Sequence, residues 1–133
     1  MRETQFRRIM ILSAERTKYT YTDNQARTNN LRACLEDLNI KPNACIGVYE
    51  NGVEKSFMVL PRNREEFDTI LDLAFKCFEQ DSVLYRGSNG NTSLYTNTGV
   101  KISLGTLDEV PMVTARAQEN YTVFNDKYYI TKG

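Results

Sequence analysis

The chain has 133 residues and balances 17 Lys and Arg against 17 Asp and Glu, so the expectation is one domain over residues 1–133, built on one core. There is no basic field to gather nucleic acid. Histidine is absent, which excludes imidazole proton transfer, Ser-His and Cys-His nucleophile pairs and His-based metal sites.

The three cysteines, Cys34, Cys45 and Cys77, form no CxxC pair. An odd count argues against a disulfide framework and for reduced, buried thiols in a cytoplasmic setting. Apolar runs such as "IMIL" at residues 9–12 are far shorter than a membrane span, and the N-terminus lacks a signal-peptide stretch. A soluble intracellular chain without membrane partners is expected. The segment "DLNIKPN" at residues 37–43 lacks the ligand spacing of a calcium loop, so no metal is expected.

In chain order, "FRRIMILSA" at residues 6–14 is short and rich in Ile and Leu, which favours a buried strand. Leu31, Cys34, Leu35 and Leu38 recur at i, i+3, i+4 and i+7, predicting a helix over residues 23–38 with Thr22 or Asp23 as its N-cap. Pro42 then pushes its predecessor out of helical geometry. "ACIGVYE" and "VEKSFMVLP" flank Asn51-Gly52, the dipeptide that best accepts the positive φ angles of a type I′ turn, so these runs predict a hairpin. A second helix is predicted from residue 63 or 64 to 78, with Phe67, Ile70, Leu71, Ala74 and Phe78 on one face. "SVLYR" at 82–86 reads as a fourth strand, ended by the turn "GSNGN".

The order β-α-β-β-α-β is the split-βαβ pattern, so the expected fold is an α+β ferredoxin-like sandwich with extra C-terminal strands. Two helices would cover one sheet face and leave the other bare. "TSLYTNTGVKISL" and the pair "YTVFND" and "KYYIT" read as short strands that lie on that face or pair with another subunit. Between the second helix and the fourth strand sit Glu79, Gln80 and Asp81. Acceptor-rich side chains at a helix C-terminus oppose its dipole, which favours cations there.

Several segments, "ILSAERTKYTYTDNQARTNNLRACL", "GVYENGVEKSFMV", "FEQDSVLY" and "GTLDEVP", together resemble the small S-adenosylmethionine (SAM)-degrading enzymes of bacteriophages. That family was formerly called SAM hydrolase and is understood, in characterised members, as SAM lyase. The resemblance spans roughly residues 9–111 and rests on "SA" after the first strand, "GxY" on the second, Glu followed by Lys and Ser on the third, and "EQD" before the fourth. A looser resemblance to an uncharacterised bacterial family carries no activity. The chain departs from the phage family in its tight Asn-Gly turn, where members can carry a longer loop.

The resemblance implies a SAM lyase without a cofactor. The substrate's own carboxylate would attack its Cγ, giving 5′-methylthioadenosine and L-homoserine lactone, and the enzyme need only supply orientation. It implies catalytic roles for Glu54 and Tyr49 and substrate contacts for Glu79, Gln80, Ser56 and Ser13. The bland alternatives are a solvated hairpin glutamate, an ordinary strand tyrosine, tolerated strand serines and a polar helix end. The family's likeness to PII signalling proteins implies a homotrimer with active sites between subunits, in which Tyr95, Tyr121, Phe124, Tyr128 and Tyr129 are interface candidates. The implied role is phage counter-defence against SAM-dependent restriction. Competing readings are a SAM hydrolase giving homoserine, a non-catalytic PII-like sponge for SAM or a nucleotide, and a protein-binding inhibitor that uses the aromatic C-terminal hairpin.

Overall fold

A computed structural model describes residues 6–49 and 52–133. The expected Asn51-Gly52 turn involves Asn51, which lies outside the described residues. The strands are β1 (Ile9–Ser13), β2 (Asn43–Tyr49), β3 (Gly52–Val59), β4 (Ser82–Arg86), β5 (Asn91–Thr96), β6 (Lys101–Val110), β7 (Tyr121–Phe124) and β8 (Lys127–Lys132). The helices are α1 (Tyr21–Asp37), α2 (Arg64–Asp72), which continues as a π-helical turn over Leu73–Cys77, and the short α3 (Met112–Arg116).

Helix α1 begins earlier than expected, because Thr20 rather than Thr22 or Asp23 is its N-cap and accepts from the Asp23 amide at 3.1 Å. Asn63 caps α2 by accepting from the Glu66 amide at 2.9 Å. The two helices pack on one face of β1, β3 and β4. Met10, Leu12, Phe57, Val59 and Val83 from the strands meet Leu31, Leu35, Phe67, Ile70, Ala74 and Phe78 from the helical segments. Each such large side chain contributes about 1.5–3 kcal/mol through burial. Tyr95 joins this layer in edge-on contact with Phe67 and Tyr85. Of the cysteines expected to be buried, Cys45 is, Cys34 is half-buried and Cys77 is exposed; all three are free.

The strands form one closed antiparallel barrel in the order β1-β3-β2-β7-β8-β6-β5-β4. This overturns the expected ferredoxin-like sandwich. The segment β4-β1-β3-β2 has the strand order of a split-βαβ sheet, but the last four strands bridge its two edges. On one side β7 pairs with β2, setting Gly47 opposite Thr122. On the other β5 pairs with β4, and β6 and β8 complete the circuit. Closure satisfies the backbone donors and acceptors that two open edges would leave unpaired. It also encloses the sheet face that had been expected to stay bare, which removes the ground on which that face called for a three-fold assembly.

Strand alternation sorts the side chains. Met10 and Leu12 of β1 face the helices, while Ile9, Ile11 and Ser13 face the barrel interior with Met58 and Ser56 of β3 and Leu84 of β4. All five β1 residues are therefore buried, which is why that strand reads as an unbroken apolar run.

Candidate active site

The antiparallel register brings the C-terminal ends of β1 and β2 and the N-terminal ends of β3 and β4 to one end of the barrel. Ser13 pairs with Ser56, Cys45 with Ser56, and Gly47 with Glu54. These ends, with the loop after β1, line a cavity of about 450 Å³, within the roughly 300–1,000 Å³ range of small-molecule sites. Of the residues singled out from the sequence, Tyr49, Glu54, Ser13, Ser56 and Gln80 line it together. Glu79 does not; its neighbour Asp81 does.

Glu54 is strongly altered by this setting. Burial, followed by the negative charge of Glu15, pushes its carboxyl up to about 7, with a smaller push from Asp81. Ser13 acts in the opposite direction by hydrogen bonding. The Ser13 hydroxyl has one proton and two acceptors in reach, and its 2.7 Å contact is to the Lys55 carbonyl. We assign the proton there, so burial prevails at Glu54.

Tyr49 lies beside Glu54 because Gly47 makes room for it. A Cβ on Gly47 would stand 2.8 Å from Tyr49 Cε2 and 2.9 Å from its hydroxyl, so the ring folds back over the glycine. This accounts for the Gly-x-Tyr spacing. The residue as a whole is 45% exposed, but its hydroxyl end is the enclosed part. Burial first, then Glu54 and Cys45, push the phenol up to about 12, so Tyr49 is a hydrogen-bond donor at neutral pH. Gly47→Ala is expected to displace the ring and lower turnover about 10- to 100-fold, the scale of a misplaced orienting group. The far end of a flexible side chain can move aside, so stability should fall by less than about 1 kcal/mol. Steady-state kinetics with a thermal melt would check this, and unchanged turnover would detach Tyr49's position from function.

The loop after β1 is held by α1 and by the end of the second helical segment. The Arg16 amide donates to Asn24 Oδ1 and Asn24 Nδ2 donates to the Arg16 carbonyl, each at 2.9 Å. Arg27 donates to the carbonyls of Ala14 and Phe78, and Arg16 donates to the Glu79 carbonyl. Glu79 has a left-handed backbone, φ 54°, and this reversal lets the Gln80 amide bond the Ala74 carbonyl at 3.0 Å, as in a helix-terminating cap. Its side chain accepts from the Tyr19 hydroxyl at 3.1 Å and lies 3.6 Å from both Lys18 and Arg27. The Tyr19 hydrogen bond, then Lys18, hold its carboxyl below the ordinary value.

Glu79 and Asp81 therefore sit at a helix C-terminus whose cations come from elsewhere in the chain, Arg16 and Arg27 covering its last carbonyls. Gln80 is buried, its amide nitrogen donating to the Glu15 and Phe78 carbonyls at 3.2 Å. Sequence reasoning missed Glu15, Arg16, Lys18 and Asn120 as cavity residues. Glu15 and Arg16 follow directly on the "SA" motif, a signal available in the sequence; Asn120 arrives only through barrel closure. Arg16 Nε is buried without a hydrogen-bond partner.

A barrel end that gathers carboxylates, a tyrosine and cations around one cavity defines a small-molecule site with the side chains of an enzyme. The model of the S-Adenosylmethionine lyase family matches residues 10–132, which takes in all the cavity residues, and the chain belongs to that family. It is an enzyme whose substrate is S-adenosylmethionine, which it degrades. A comparison with curated proteins finds no match.

Proposed function

We propose that the enzyme folds SAM within this cavity so that the substrate's carboxylate attacks its own Cγ. A C–O bond forms, the C–S bond breaks and its electron pair stays on sulfur. The products are 5′-methylthioadenosine and L-homoserine lactone, and no proton is transferred. The observation that carries this reading is the placement of Glu54 beside Tyr49 in one cavity. A half-buried carboxylate receives a cation well, and SAM brings two, the sulfonium and the α-ammonium. The reaction needs only capture and alignment, which fits a site without histidine.

In this reading Glu54 binds the positive charge and Tyr49 donates to the substrate while offering its ring to the sulfonium. The Gln80 amide nitrogen is committed to the backbone, so its oxygen is the atom left for the adenine or ribose. The hydroxyls of Ser56 and Ser13 complete the wall. Glu79 acts indirectly, by positioning Arg16 and Lys18. The enzyme works as a homotrimer with a neighbouring subunit closing the cavity mouth, supported by Tyr49, partly exposed at that mouth, and by Val53, exposed on the next strand. Its role is to deplete the methyl donor of a phage's host and so disarm SAM-dependent restriction.

The test is to incubate the protein with SAM in water enriched in heavy oxygen and follow products by mass spectrometry. Fractions separated by sedimentation would assign turnover to trimer or monomer. Methylthioadenosine with unlabelled lactone is expected. Labelled homoserine formed directly would replace carboxylate attack by hydrolysis. SAM recovered intact would leave a binding protein, and full turnover by a monomer would remove the intersubunit site.

A further inference from the structure

At the opposite end of the barrel lies a second and larger cavity, of about 670 Å³. Ile11 lines both cavities, so they stand back to back across one side chain. Their charges differ. The first holds the carboxylates of Glu15, Glu54 and Asp81 with the cations of Arg16 and Lys18, whereas the second is lined by Arg7, Lys41, Arg62 and Arg86, with Glu66 as the one carboxylate among the described residues.

That carboxylate is already engaged, accepting from Arg62 Nε at 2.8 Å and from the Arg62 amide at 2.9 Å. Among the described residues Arg7, Lys41 and Arg86 have no carboxylate partner. Arg86 pairs in register with Ile9, which also lines this cavity. One of its terminal nitrogens donates to the Arg7 carbonyl at 2.8 Å. Its Nε is buried without a partner among the described residues, a condition that costs stability unless something fills it. Most of the remaining wall is apolar, Ile9, Ile11, Met58, Leu107 and Phe124 among it, beside the polar Asn39, Asn43 and Thr122.

We propose that this second cavity is a binding site for a small organic anion, a carboxylate or phosphate carried on an apolar body. The anion sits against Arg86, with Lys41 and Arg7 adding charge, and the apolar body lies along Leu107, Phe124 and Met58. A cation such as SAM is sorted to the other end of the barrel by the same charges. Burial disfavours the charge on Arg86, and a bound anion offsets that penalty.

The probe is 8-anilinonaphthalene-1-sulfonate, an anion on an aromatic body, titrated by fluorescence into the folded full-length chain. One saturable site is expected, with affinity at least about tenfold above that for the uncharged N-phenyl-1-naphthylamine. Arg86→Gln should weaken it about tenfold or more, and Leu107→Trp, which fills the cavity, should abolish it. Should Arg86→Gln fail to fold, Lys41→Gln at the cavity rim tests the charge by a smaller loss. Hexanoate and phenyl phosphate as competitors distinguish the two head groups, and displacement by either supports the site. The proposal is overturned if neither competes, if the uncharged analogue binds as tightly, if the folded variants bind like the parent, or if SAM displaces the probe.

Discussion

Glu54→Gln is expected to lower kcat/KM for SAM about 100- to 1,000-fold at pH 8 while making the protein more stable. Both effects come from one fact, a carboxyl pushed up to about 7 by burial and by Glu15. Because the folded-state value exceeds the unfolded one, the folded protein binds the Glu54 proton more tightly between about pH 4.5 and 7. The stability this proton confers is present at acid pH and is lost as pH rises through about 7. Glutamine mimics the neutral acid, so its advantage appears at pH 8 and vanishes near pH 4.5. Glu54 is partly exposed, so the gain is set at on the order of 1–2 kcal/mol, below what the full shift would give. That corresponds to a rise in Tm of about 3–8 °C.

Activity runs the opposite way, because in the proposed mechanism a cation binds the ionised carboxylate. The parent's kcat/KM should climb about tenfold per pH unit up to about 7 and then level off. The glutamine variant should show a low, flat profile. Thermal melts at pH 5 and pH 8, with pH-rate profiles of both proteins, decide the matter. Retained turnover removes Glu54 from catalysis, and equal melting at pH 8 means that its charge is not held against burial.

The local half of the structure was legible in the sequence. The 3.6-residue spacing marked both helices, and the apolar runs marked the four strands between and beside them, because those patterns reflect burial along one element. Closure was not legible. Pairing Ile46 with Val123 or Leu107 with Thr131 depends on contacts between strands far apart in sequence, and the C-terminal strands look the same whether they close a barrel or join a neighbour. The π-helical turn at Leu73–Cys77 and the short α3 left no periodic signal. Tyr49 and Glu54 stood out only through the family resemblance. The reason for their adjacency, Gly47 opposite Glu54 with the Tyr49 ring folded over it, needs the sheet register. Glu79 drew notice as an acid at the wrong end of a helix. The explanation lies in Arg16 and Arg27, some fifty to sixty residues upstream.

Closure has a sensitive point in Gly105→Ala, which is expected to destabilise the protein by on the order of 3 kcal/mol and lower Tm by about 10 °C. Gly105 opens the "GTLDEVP" motif and lies within β6 at φ 85°, a conformation that L side chains rarely adopt. A Cβ there would overlap the Lys132 carbonyl oxygen, in the strand that pairs with β6. Two costs therefore add: about 1–2 kcal/mol for the backbone conformation, and the displacement of β8. The obstacle is the backbone of Lys132 and Gly133, so no rotamer change relieves it and that segment must shift. Deleting those two residues from the Gly105→Ala protein should remove the overlap and recover all but the conformational cost. The same deletion in the parent sequence should cost little. If the deletion restores nothing, β8 does not lie against β6 as the closed barrel requires. Tyr129 and Leu107 would then no longer be brought together at the second cavity, whereas the first cavity, drawn mainly from β1 to β4 and their loops, would keep most of its wall.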